Sequence, residues 1–371
     1  MSSETAETVL QFGTGRFLRG FADLFVHEVS QAGPAMGRVV VCQSTGAGRA
    51  ELFNRQAGRY HVAVRGLRDG RPIDQTVEVR SVSRALAAAT DWPQVLEVAR
   101  SPALATIVSN TTEAGYALEA SDEPAAGPLK SFPAKLLAVL RARFEAGGRG
   151  VSLLPCELLE QNANRLRQLV VDQAKRWALP EALIDWICGA CAWHNTLVDR
   201  IVSAPRAGDP LAAVDPLFAV AEPFALWLVQ GSPDLHGLEG HPAVQAVGQL
   251  EPYYLRKVRI LNGAHTALVA KALPLGFETV RQAVLDPALG RWLHRLLFEE
   301  IVPALAGRTE EPEQFARQTL ERFANPFLDH RLADIALQHD VKLRTRLLPT
   351  YEESCARFGR PPELLAEILG H

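Results

Sequence analysis

The sequence predicts an α/β protein: a mostly parallel sheet flanked by helices, followed by a mainly α-helical second domain. Three observations predict it. Apolar strand-like runs alternate with amphipathic helical stretches through the first two thirds of the 371 residues. A glycine turn stands between the first strand and the first helix. After Tyr253 only helical patterns remain, punctuated by Pro274, Pro303, Pro326 and Pro349. Strand and helix in alternation imply parallel pairing with helices on both faces, and the change of pattern sets the expected domains at 1–252 and 253–371. No internal repeat or low-complexity linker interrupts them.

Element by element, "TVLQFGTGRFLRGFADLFVHEVSQAG" reads as a strand, a turn and a helix ending near Gly33 and Pro34, and "GRVVVCQSTGAG" as a second strand. "RYHVAVRG" and "TVEVRSVS" pair as a hairpin across "LRDGRPIDQ". Helices are expected at Asp91–Arg100 and Phe132–Phe144, with strands at "LATIVSNT" and "GVSLLPCE" between and after them. "LVDRIVS" and "FALWLVQG" add two more strands. In "KVRILNGAHTALV", Asn262-Gly263 is a hairpin signal. Tyr254 to Leu273 has no proline before its end and is rich in alanine and leucine, so a helix is the better reading. Gly263 then requires close approach of a ligand or another backbone.

Composition removes several function classes. Hydrophobic residues make up 47% and charged residues 22%, with a formal net charge of -3; this is an ordinary globular balance without the basic footprint of a nucleic-acid partner. No apolar run reaches membrane-spanning length, and "MSSETAETVLQF" lacks signal-peptide character. A cytoplasmic protein is expected, with no membrane partner and an oligomeric state left unspecified. The five cysteines are an odd number, which argues against a disulfide framework. Cys188, Cys191 and His194 have metal-ligand spacing, but a closed zinc site needs a fourth ligand and none stands nearby. Buried thiols are the better reading, and no metal is expected.

The turn carries the first functional expectation. Gly13, Thr14, Gly15, Arg16 and Phe17 lie where backbone N–H groups can face a pyrophosphate, so a Rossmann-type dinucleotide domain is expected. The third small residue of the usual fingerprint is replaced by Leu18. The acidic residue expected to end the second strand is absent; Gln43 or Ser44 could bond a ribose hydroxyl, while Arg49 could attract a 2'-phosphate. NAD is the expected cofactor, with NADP left open. Asn110, at the end of a central strand, is placed toward the nicotinamide side.

The second expectation rests on Lys257, Asn262 and His265. With α-helical winding, His265 lies roughly 80° and Asn262 roughly 140° around from Lys257. A lysine can serve as general acid or base without metal if burial lowers its pKa, and fixed amides such as Asn262 stabilise charge on a substrate oxygen.

K-x4-N-x2-H, together with "QFGTGRFLRGF", "VSNTTEAGY", "PCELLEQNAN", "TLVDRIV", "EEIVPAL", "RFANP" and "KLRTRLLP", resembles the polyol-specific long-chain dehydrogenases, the family of mannitol 2-dehydrogenase. The likeness runs from Val9 to about Pro349 and is nearest to members that act on hexuronates. Those members run on past the last shared motif, so a shortened helical domain is expected.

This resemblance implies reversible hydride transfer at a secondary alcohol of a small sugar acid, with Lys257 as acid/base and Asn195 as a second amide at the substrate oxygen. It further implies Glu113 as a proton relay and Arg322 and His330 as substrate contacts. A uronate carboxylate also calls for a cation, for which Arg344 is expected, with Lys342 and Arg346 beside it. Ketose and other ketouronate substrates remain alternatives, as does a non-catalytic sugar-acid or dinucleotide-binding protein.

Overall fold

The computed structural model describes residues 6–33, 36–111, 113–124 and 129–370, with the backbone alone at Glu113 and Ala114. Its strands in chain order are β1 (Glu7–Phe12), β2 (Arg38–Gln43), β3 (Tyr60–Arg68), β4 (Arg71–Val79), β5 (Val82–Ala87), β6 (Thr106–Ser109) and β7 (Ser152–Pro155). There follow β8 (Ala192–Trp193), β9 (Thr196–Asp199), β10 (Val202–Ser203), β11 (Ala219–Ala221), β12 (Leu226–Gln230) and β13 (Val244–Val247). Contacts group the chain into two compact units. The first holds 1–64, 75–221 and 225–250; the second holds 65–74, 222–224 and 251–371.

In the first unit the main sheet has the order β5-β2-β1-β6-β7-β8, and all its pairings are parallel. Strands buried on both faces need continuous apolar runs, and Val39, Val40, Val41 and Cys42 of β2 provide one, each at most 1% exposed. Phe12 pairs with Cys42 on one side and Ser109 on the other. The order reverses about β1, so the carboxyl ends of β1 and β6 bound the crevice in which open parallel sheets take ligands. The core joins Leu10, Phe12 and Ile107 to Leu136 and Leu140 of the helix Phe132–Glu145.

Three local readings are corrected. "TVEVRSVS" is not one strand: β4 ends at Val79, and β5 begins at Val82 as an edge of the main sheet. The connection of β3 to β4 is the two residues Asp69 and Gly70, both at positive φ of 53° and 71°, which is the backbone a two-residue hairpin needs to match strand twist. "LVDRIVS" breaks into β9 and β10, which join different small sheets: β13-β12-β9, and β10-β11-β3-β4.

Within the second unit, from Glu251 onward, the regular elements among the described residues are helical, as expected. Its core gathers Ile260, Leu261, Ala264 and Leu268 with Leu293, Leu297, Phe315, Phe323 and Leu347. The helix Gly263–Ala272 buries nearly every side chain, and that explains its apolar character on all sides. No helix among the described residues is long and apolar enough to cross a membrane.

Candidate active site

The turn after β1 is built for close approach. Gly13 sits at φ 129°, and a Cβ there would lie 3.0 Å from both the Asn110 carbonyl oxygen and Leu18 Cδ1. Glycine alone fits that position. Gly15 has nothing within 4 Å of where its Cβ would stand, so the turn is open on that side. Arg16 is exposed, whereas Phe17 stacks on Phe21 at 4.8 Å. Thr14 offers its carbonyl to Arg19 Nη1 at 2.6 Å. Leu18, the odd residue of the fingerprint, packs inward on Gly13. Close packing comes from Gly20 instead, whose Cβ would meet Val202 Cγ1 at 2.9 Å.

The candidates around this turn divide. Gln43 is spent on its own loop, its Nε2 donating to the Thr45 carbonyl and its Oε1 accepting from Ala50 N–H, both at 2.7 Å. Ser44 differs. Its Oγ is buried with no partner, at the end of the strand next to the turn. Asn110 ties strand ends together, Nδ2 donating to the Cys156 carbonyl at 2.8 Å.

Glu113 opens a short 3-10 turn, and its side chain lies outside the described part of the structure. The loop carrying it is anchored by Glu157, which sequence reading passed over inside "PCELLEQNAN". This buried carboxylate accepts from Ser109 Oγ, Thr111 N–H, Thr111 Oγ1 and the Tyr116 hydroxyl at 2.8 to 3.1 Å. Burial pushes its carboxyl upward, with those bonds opposing the shift. An acidic residue at the end of an apolar strand was the available signal.

Asn195, 8% exposed, is largely committed within its own unit. Its Oδ1 accepts from Ala163 and Asn164 N–H, both at 3.1 Å, and so caps the helix Asn162–Arg176 from outside. Its Nδ2 donates to Gln230 Oε1 at 3.1 Å, leaving one amide N–H unused. Cys188 is exposed and Cys191 buried, so the two thiols of "CGACAWH" meet different surroundings. No metal-holding cluster of His, Cys, Asp or Glu occurs among the described residues.

The segment bearing Lys257 departs from the expected α-helix. Lys257–Asn262 is π-helical and passes directly into the helix Gly263–Ala272. An i→i+5 ladder winds more slowly than an α-helix, so Asn262, five residues on, comes nearer the face of Lys257 than α-helical winding would bring it. His265 then stacks one turn beyond Asn262 at i+3. The transition is supported locally: Thr266 Oγ1 donates to the Asn262 carbonyl at 2.9 Å and accepts from Arg346 Nη1 at 3.3 Å. The close neighbour at Gly263 is protein, since a Cβ would stand 3.3 Å from Leu347 Cδ2.

The Asn262 side-chain amide makes no hydrogen bond to the described residues. His265 is 7% exposed, stacked on Phe323 at 4.0 Å and edge-on to His330 at 4.9 Å, with Nε2 buried and unpartnered. Burial first, then the positive surroundings of His330, Arg322, Arg346 and Lys342, hold its pKa well below the usual range. The imidazole is therefore neutral. Burial lowers His330 as well, opposed by Asp334.

The cations sort differently from expectation. Arg322 is locked to Glu222 by two bonds, Nε to Oε2 at 3.0 Å and Nη2 to Oε1 at 2.7 Å, with both side chains at most 4% exposed; its guanidinium also lies over Phe224 at 4.3 Å. Its charge is already neutralised. Nothing in the local sequence at Glu222 announced this pair. Arg344 is exposed. Arg346 is half-buried and donates to Thr266 of the helix Gly263–Ala272; desolvation first, and then the charge of Arg346, lowers the Lys342 pKa.

Family models match two consecutive stretches: the mannitol dehydrogenase Rossmann domain over residues 7–238 and the mannitol dehydrogenase C-terminal domain over residues 249–370. An altronate oxidoreductase of Halalkalibacterium halodurans is 40% identical over 98% of this chain and 74% of its own length. The Bacillus subtilis altronate oxidoreductase is 39% identical over 97% and 77%. Among solved structures, substrate-free D-sorbitol dehydrogenase superposes with a TM-score of 0.84 at 23% identity, covering 98% of this chain and 79% of that one. A Pseudomonas fluorescens mannitol 2-dehydrogenase complex with NAD and D-mannitol gives 0.76 at 20% identity over 98% and 78%, and these two likenesses establish the fold. With both domain models matched in order along nearly the whole chain, the protein belongs to the mannitol dehydrogenase family.

Proposed function

We propose that this oxidoreductase uses NAD to reduce D-tagaturonate to D-altronate, reversibly, with Lys257 as general acid and base. The observation that carries the reading is the Lys257–His265 segment. There a lysine, an amide that makes no hydrogen bond to the described residues and a buried imidazole follow one another through a π-to-α transition in a chain 37–40% identical to altronate oxidoreductases.

The residues after β1 and β2 fit a dinucleotide. Gly13 and Gly15 leave room for close approach of a pyrophosphate, and the unpartnered Ser44 Oγ suits a ribose hydroxyl. NADH, when bound, would supply the hydride and become NAD. Lys257 hands a proton to the substrate oxygen as carbonyl becomes hydroxyl, and takes it back in the reverse direction. Asn262 donates to that oxygen as negative charge develops. His265, neutral, offers one N–H and one lone pair to a neighbouring hydroxyl. For the carboxylate, Arg346 with Lys342 replaces Arg322 and Arg344, because Arg322 is consumed by Glu222 and Arg344 faces solvent.

The test is NADH consumption with D-tagaturonate, D-fructuronate and D-fructose offered separately. Turnover of tagaturonate in clear preference supports the substrate; preference for either other compound keeps the chemistry and rejects the assignment.

A further inference from the structure

Beneath the glycine turn lies a buried ionisable cluster that this chemistry does not use. α1 (Arg16–Arg19) ends in Arg19, which is 3% exposed and bonded to the Thr14 carbonyl, with its Nε buried and unpartnered. Four residues on, in α2 (Ala22–Ala32), Asp23 is fully buried. The Tyr60 hydroxyl lies 2.8 Å from Asp23 Oδ2 and 3.2 Å from the Arg19 carbonyl oxygen, and Asp23 Oδ1 has no partner.

One hydroxyl proton therefore faces two acceptors. If Asp23 is ionised, Tyr60 donates to it and the Arg19 carbonyl goes without. If Asp23 is protonated, the acid donates to Tyr60 and Tyr60 donates to the carbonyl, so both contacts are met. Burial favours the neutral acid too, pushing the carboxyl up to about 7 against the opposing Tyr60 bond and Arg19 charge. The groups facing the cluster are Arg19, Tyr60 from β3 and Gln11 from β1, with Arg16 and Arg49 near Arg19 and Asp215 near Tyr60. Burial drives Tyr60 well above its ordinary range, and Asp23 is the member whose charge changes near neutrality.

Ionised Asp23 and Arg19 sum to zero; protonated Asp23 leaves a full positive charge against the turn. We propose that Asp23 and Arg19 form a proton-linked pair that sets the affinity of the glycine turn for the anionic pyrophosphate of a dinucleotide, Arg19 acting as a positioning residue through Thr14. This rests on the dinucleotide reading given above. Anion binding and protonation of Asp23 then reinforce each other, as linkage requires.

The experiment is calorimetric titration of the intact protein with NADH between about pH 6 and about pH 8.5, in two buffers of different ionisation enthalpy. The expected result is affinity falling about fivefold or more across that range, with net proton uptake on binding that peaks near neutrality. Asp23→Asn should abolish the uptake and keep the low-pH affinity throughout. Tyr60→Phe, which removes the hydroxyl bonded to Asp23 in either protonation state, should shift the midpoint. Unchanged pH dependence in Asp23→Asn, or no shift in Tyr60→Phe, overturns the proposal, as does binding by the parent protein without proton uptake. Absence of NADH binding at every pH would instead reject the dinucleotide reading itself.

Discussion

His265 lies flat against Phe323, ring centroids 4.0 Å apart, with Nε2 buried and unpartnered. That environment withholds the proton: the folded-state pKa falls below the unfolded value of about 6.5, so protonation stabilises the unfolded chain relative to the folded one. His265 accordingly makes stability decline as pH falls through the unfolded value. The expected NMR result is an imidazole whose signals do not titrate between about pH 5.5 and pH 8; a midpoint near the unperturbed value would contradict a neutral His265.

Glu222→Ala leaves the Arg322 guanidinium buried beside Phe224 without its bidentate partner. Removing one member of a buried pair costs about 3–5 kcal/mol, which a denaturant midpoint would register. Replacing both members by apolar residues of similar volume should recover most of the loss, and a single variant of unchanged stability would show the pair to be incidental.

Asn195→Ala removes the oxygen that caps Ala163 and Asn164, and should cost about 1 kcal/mol. Asn195→Asp keeps the acceptor and places negative charge at a helix amino end, where it is tolerated. Equal destabilisation by the two variants would mean that the cap is not the source of the effect.

Arg346→Met should raise KM for the sugar acid about tenfold or more, through loss of a charge-assisted contact, with a much smaller effect on any neutral ketose. Arg344→Met should leave both unchanged, given its exposure. The reverse ranking in steady-state kinetics would return the carboxylate to Arg344.

Much of this was readable from residue order, for physical reasons that differ between regions. The parallel sheet declared itself through the uninterrupted apolar run of β2 and the alternation of strands with helices, and the turn through Gly13 and Gly15, because burial and backbone approach act on local sequence. The segment at Lys257 was legible as a helix but not as a π-helix, because the apolar pattern of local residue order does not distinguish an i→i+5 from an i→i+4 ladder. Arg322 illustrates the opposite limit. Its partner lies a hundred residues away, and a guanidinium in sequence does not declare which carboxylate neutralises it. Asn195 likewise carries an amide whose oxygen is committed to backbone some thirty residues away, at Ala163 and Asn164.

The most direct test of Lys257 as the proton donor is the single-turnover rate of D-tagaturonate reduction by Lys257→Ala beside the parent enzyme, with NADH affinity measured on both. The expected result is a loss of about 10²- to 10⁴-fold in the chemical step with NADH affinity unchanged. A variant that turns over at the parent rate would contradict the assignment and move the acid elsewhere.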